Sequence, residues 1–99
     1  MNVVSRPRLN EFAARHPQAK APLDAWYKFT RKAHWRSMGD LRRDYPHADV
    51  VAECTVFNIA GNRYRLITKI KYAKQAVYIR FVLTHAEYDR GRWKDDCGC

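Results

Sequence analysis

The residues best suited to moving a proton fall in one short string, Thr84-His85-Ala86-Glu87-Tyr88-Asp89. Imidazole titrates near neutral pH, so a histidine beside a bound phosphate can accept or donate a proton. If His85 opens a helix, Tyr88 and Asp89 lie three and four positions on and share its side. The same string also reads as a helix entry without chemistry, in which Thr84 and Glu87 form a capping box, Tyr88 packs and Asp89 is solvated. On the residues alone, that plainer reading carries more weight. His16, His34 and His47 have no comparable company and are expected at the surface. No histidine pair has the spacing of helical metal ligands, and no glycine-rich phosphate loop occurs, so neither a metal nor a nucleotide cofactor is expected.

Charge gives the stronger signal. Between Glu53 and Glu87 there is no acidic residue, while Arg63, Arg65, Lys69, Lys71, Lys74 and Arg80 all lie there. Side chains alternate along a strand. Arg63, Arg65, Lys69 and Lys71 therefore share one strand face with Ile67, and Tyr64, Leu66, Ile70 and Tyr72 share the other. In the following strand Val77, Ile79, Phe81 and Leu83 read as core, with Tyr78, Arg80, Val82 and Thr84 opposite. A cationic face carrying Tyr78 suits a phosphate backbone with unstacked bases, because arginine forks and lysine charges bind phosphate and an aromatic ring stacks on a base. A solvated face that only keeps the protein soluble is the alternative, and the pattern does not separate RNA from DNA.

These groups need a scaffold, and the rest of the chain supplies one. Its 99 residues have room for a single hydrophobic core, so one domain over 1–99 is expected. Lys and Arg number 19 against 10 Asp and Glu, a net charge of +9 that favours polyanionic partners. Hydrophobic residues at 46% are too many for a disordered chain. No apolar run approaches the roughly 18–20 residues that span a bilayer, and the N-terminus does not read as a secretory signal.

Val3-Val4 is a short apolar start. Ser5-Arg6-Pro7 then opens a helix with Leu9, Phe12 and Ala13 on one face, ended by Pro17. A second helix from Lys20 carries the stripe Leu23, Trp26, Tyr27, Phe29 and Ala33. Gly39 and Pro46 bracket a loop with a short turn around Leu41. Strands follow at Cys54–Ile59, at 63–72 and at 77–84, joined by short turns as an antiparallel meander, before a short helix from His85. The expected class is α+β, helices layered on a sheet. Cys54, Cys97 and Cys99 are odd in number and do not make a disulfide framework. A frayed, reduced tail in a reducing compartment is the reading, with no role for Cys97 or Cys99.

The runs Val56-Phe57-Asn58-Ile59-Ala60-Gly61-Asn62-Arg63-Tyr64-Arg65-Leu66-Ile67, Ile70-Lys71-Tyr72, Val77 to Val82 and Thr84 to Asp89 resemble the HigB family of bacterial toxins, within the RelE-like superfamily. The likeness extends over nearly the whole chain. It implies a RelE-like fold, with two N-terminal helices packed on an antiparallel sheet and a short C-terminal helix. It further implies a cytoplasmic mRNA interferase that cuts mRNA, usually on the ribosome, without a metal, through attack of the RNA 2′-hydroxyl on the adjacent phosphate. The implied partner is a HigA-like helix-turn-helix antitoxin, with DNA met only through that complex and no membrane involved.

By the same resemblance Arg65 matches the superfamily's strand arginine and stabilises charge on the phosphate, with Arg80 and Lys71 holding the backbone. His85 is the candidate base or acid, Tyr88 a second donor or stacking group, and Asp89 an orienting group. Arg63, Lys69, Lys74 and Tyr78 complete the RNA face. Trp93 and the tail either pack on the sheet or stay mobile. Same-fold relatives of the ParE type poison DNA gyrase instead, and a non-catalytic RNA-binding module would keep the cations without needing His85 and Tyr88.

Overall fold

Pro7 opens helix α1 (Pro7–Arg15) at a position where its missing N–H costs nothing. Ser5, at φ 74°, is the turn that brings strand β1 (Asn2–Val4) into this helix, and the cap position falls to Arg6. Helix α2 (Lys20–Lys32) follows after a single 3-10 turn, Pro17–Ala19. Leu23, Trp26 and Thr30 are its buried positions, whereas Phe29 is half exposed and lies edge-on to Tyr45. Helix α3 (Met38–Asp44) is longer than the turn expected around Leu41, because Ser37 caps it by accepting from the Asp40 N–H. The computed structural model describes residues 1–98, and Cys99 lies outside them. No helix among them is long and apolar enough to cross a membrane.

The remaining strands are β2 (Asp49–Val51), β3 (Cys54–Ile59), β4 (Tyr64–Lys71) and β5 (Ala76–Thr84). They form one sheet in the order β1-β5-β4-β3-β2. β2 to β5 make the expected antiparallel meander with β2 added, but β1 pairs parallel with β5, so the sheet is mixed. The helices cover one face, where Leu9, Phe12, Leu23, Trp26, Trp35 and Phe57 meet Leu66, Val77 and Ile79. Burying each such side chain contributes about 1.5–3 kcal/mol before entropy is subtracted. Trp35 Nε1 donates to Asp44 at 2.8 Å, and on the sheet Thr68 donates to the Thr55 carbonyl at 2.9 Å, whereas Trp26 Nε1 and Thr30 Oγ1 are buried without a partner.

A β-bulge shifts the register so that Thr68 faces Ile79 and Ile67 faces Phe81, leaving Arg80 as the extra residue. The alternation of β5 therefore inverts after Ile79. Val82 packs on the helix-side core, and Phe81 and Leu83 turn to the opposite face.

That opposite face is not open. Helix α4 (His85–Arg90) and a C-terminal 3-10 helix (Arg92–Cys97) fold over it, and Trp93 and Cys97 are buried there with Cys54, Val56 and Ile67. Cys54 and Cys97 form a disulfide, so neither the unpaired reading of the cysteines nor the frayed tail holds. An odd count forbids pairing all three but not two. The pairing becomes possible because Gly91, at φ 75°, reverses the chain and lays Cys97 across β3.

Candidate active site

The string from Thr84 to Asp89 sits where β5 runs out into α4. Its capping box is present: Thr84 Oγ1 accepts from the Glu87 N–H at 3.3 Å, and Glu87 Oε1 accepts from the Thr84 N–H at 2.9 Å. The Thr84 N–H holds the Glu87 carboxyl below the usual carboxylate range. The His85 N–H donates to the Arg63 carbonyl at 3.1 Å, which fastens the start of α4 to the residue just before β4.

The box does not exclude chemistry by its neighbours. His85 Nδ1 lies 2.9 Å from Asp89 Oδ2, one helical turn away. With Nδ1–H given to that carboxylate, the lone pair of Nε2 is left to accept a proton. Both side chains are more than half exposed, so the pair faces solvent. Helix geometry thus serves two ends, with Thr84 and Glu87 fixing the backbone and His85 and Asp89 meeting on its outer side.

Arg65 stands directly opposite Asn58 on one side and Leu83 on the other. Its Nη1 donates to the Asn62 carbonyl at 2.9 Å and to the Tyr64 carbonyl at 3.3 Å. The guanidinium lies 5.1 Å from the centre of the Tyr88 ring. Tyr88 is in turn stacked on Trp93, with centroids 4.9 Å apart and planes within 13°. Trp93 Nε1 donates to the Tyr88 carbonyl at 2.9 Å. Arg65 therefore rests on a two-ring platform. Burial pushes the Tyr88 hydroxyl above its ordinary value, so it remains a proton donor at neutral pH.

The other cations are distributed differently from the sequence picture. Arg80 and Lys69 are on the same sheet face as Arg65, but Arg80 makes a two-point bond to Asp96, with Nε–Oδ2 and Nη2–Oδ1 both 2.7 Å. Lys69 Nζ lies 3.8 Å from Glu53 and 4.0 Å from Asp96. Tyr78 pairs across with Lys69. Arg63, before β4, reaches back to Gln18. Lys71 ends β4, six steps from Arg65 and so about 20 Å away, and Lys74 lies beyond it in the β4–β5 turn. Arg65 meets Tyr88, and His85 meets Asp89 on the same short helix, whereas Lys71 and Lys74 lie at the far end of the hairpin.

Asn58, Trp93 and Asp96 carry no site role in the sequence reading, although packing of Trp93 on the sheet is one of its two alternatives and is what the structure shows. Asn58 is an exposed amide inside an otherwise buried strand, which was a readable signal. Asp96 belonged to an acidic pair in the tail, and only the fold brings it over the acid-free strands.

The family described as HigB toxin, the RelE-like toxic component of a toxin-antitoxin system, matches residues 19–91, which take in α2 and Arg65, His85, Tyr88 and Asp89. This chain belongs to the HigB toxin family. The mRNA interferase toxin HigB of Escherichia coli (strain K12) is 30% identical over 92 residues, covering 90% of this chain and 88% of that protein. The mRNA interferase HigB of Shigella flexneri is equally similar. That of Escherichia coli O6:H1 (strain CFT073) is 23% identical over 93 residues, covering 91% of this chain and 90% of its own. Membership of the HigB family makes the chain the toxic half of a toxin-antitoxin pair, with an antitoxin as its partner. The observed architecture, helices on a five-stranded sheet with a short C-terminal helix, accords with the RelE-like fold.

Proposed function

We propose that this HigB-family toxin is an mRNA interferase that cleaves RNA without a metal at the Arg65, His85, Tyr88 and Asp89 site. The observation that carries this reading is the His85–Asp89 pair at 2.9 Å beside an arginine held over Tyr88. His85 Nε2 takes the proton of an RNA 2′-hydroxyl as its oxygen bonds to the adjacent phosphorus. The P–O5′ bond breaks, and Tyr88 supplies the proton that the leaving 5′-oxygen needs. Arg65 stabilises the charge that grows on the phosphoryl oxygens, which is commonly the largest electrostatic contribution in such sites. Asp89 holds the imidazole in the tautomer that can accept.

The strand is messenger RNA on a translating ribosome, with Lys69, Arg80 and Tyr78 along its path, and the antitoxin is a HigA-like helix-turn-helix protein. DNA is reached only through the toxin-antitoxin complex. The test separates binding from cleavage in the wild type, Arg65→Ala and His85→Ala, each added to translating ribosomes programmed with an mRNA. Products ending in a 2′,3′-cyclic phosphate and a 5′-hydroxyl, lost in both variants, support the mechanism. Products with a 5′-phosphate, or cleavage that both variants retain, contradict it.

A further inference from the structure

We propose that Lys69 and Arg80 form a phosphate site for the RNA strand that this chain fills with its own Asp96, and that the Cys54–Cys97 disulfide keeps it filled. The inference rests on the reading of this sheet face as the RNA face, and it adds a control on access. Arg80, the bulged residue of β5, grips Asp96 with two parallel bonds of 2.7 Å. That fork is the geometry in which a guanidinium holds two oxygens of a phosphate. Lys69 adds a second cation 4.0 Å from the same carboxylate. Asp96 thus occupies the place of a phosphodiester between Arg80 and Lys69, with the exposed Glu53 a second carboxylate 3.8 Å from Lys69 Nζ.

The segment carrying it is fastened at two points. Trp93, 4% exposed, is its anchor on Tyr88. Cys97, fully buried, is its second attachment, through the disulfide and through its carbonyl, which accepts from the Glu53 N–H at 3.0 Å. Asp96 is the residue next to that second attachment.

A dithiol reductant removes the covalent part of the second attachment by giving two electrons to the disulfide. The reductant becomes a disulfide, and its two protons end on the Cys54 and Cys97 sulfurs. The last turn is then held by one backbone bond, from the Glu53 N–H to the Cys97 carbonyl, and by partly exposed ion pairs, which are individually weak, and RNA phosphate displaces Asp96. Trp93 stays in place, so Tyr88 and Arg65 keep their positions. The control therefore acts on RNA affinity and leaves the chemical step alone.

The experiment uses the full chain, oxidised or treated with dithiothreitol, and a fluorescent 2′-O-methyl oligoribonucleotide that cannot be cleaved. Circular dichroism checks that each sample is folded. Reduction is expected to tighten binding on the order of tenfold in 0.1 M salt. It should also steepen the slope of log affinity against log salt by about 0.7, the value for one phosphate on a single strand. Asp96→Asn with the disulfide intact should bind like the reduced protein and gain nothing more from reductant. Equal affinity of the two redox forms, with Arg80→Ala binding more weakly than either, overturns the latch and leaves the RNA face standing. Reduced Arg80→Ala and Lys69→Ala binding like the reduced wild type overturns the phosphate site, and the reading of this face with it. A gain on reduction that Asp96→Asn does not reproduce removes Asp96 from the account.

Discussion

Reduction of the Cys54–Cys97 bond is the perturbation whose effect on stability follows most directly from the structure. The bond closes a loop with a sequence separation of 43 residues. Chain-entropy reasoning then gives about 13 cal/mol/K removed from the unfolded chain, or about 4 kcal/mol at 25 °C. A domain of this size has a total stability of about 5–15 kcal/mol, so the reduced protein still folds but with a thinner margin. The assay is urea unfolding followed by tryptophan fluorescence, with and without reductant. At about 1.5 kcal/mol per molar urea, the midpoint should fall by roughly 2–3 M. Reduction also lets the unfolded chain expand, so the slope should rise slightly. Superimposable curves would refute the reasoning, as would a mass spectrum of the native protein in which the Cys54 and Cys97 peptides are not linked.

Other outcomes follow from the site. Thr84→Ala removes one half of the capping box and should cost about 1 kcal/mol by thermal melting, with cleavage reduced more than stability because His85 and Asp89 share that helix. Trp93→Ala should destabilise by about 3–5 kcal/mol, while Trp93→Phe should keep the Tyr88 stack and most of the cleavage rate in a single-turnover assay. Asp96 has its pKa lowered by the bond from Arg80, with Lys69 and Arg8 adding to the effect. Its contribution to stability is therefore fully present above about pH 4, the unfolded value, and is lost as pH falls through the lower folded value. Melting temperatures recorded from pH 6 to pH 2 should show a decline that is smaller in Asp96→Asn.

Local pattern made much of this fold readable. β3 was expected with the bounds it has, because Cys54-Thr55-Val56-Phe57-Asn58-Ile59 is dense in β-branched and aromatic residues. The two N-terminal helices and the start of α4 carried their own proline and capping signals. β2 was missed because three residues, one of them an aspartate, hold too little pattern to register.

The faces of β4 were legible from alternation, but those of β5 were legible only as far as Ile79. One extra residue at Arg80 inverts everything after it and leaves no mark in composition. The site divides in the same way. His85, Tyr88 and Asp89 were near in sequence, and Arg65 was flagged by charge and by family resemblance. The bond from Arg80 to Asp96 and the disulfide that holds the tail are contacts across more than ten residues, for which single-sequence patterning has no signal.

The central claim is that this HigB-family toxin cuts mRNA with Arg65 and His85. Its most direct test is induction of the chain in bacteria, with growth and the 5′ ends of mRNA followed over minutes in the wild type, Arg65→Ala and His85→Ala. The account predicts growth arrest with new 5′-hydroxyl ends inside translated regions, and loss of both in each variant. Arrest with intact mRNA, the behaviour of a gyrase poison, or full toxicity in both variants would contradict it.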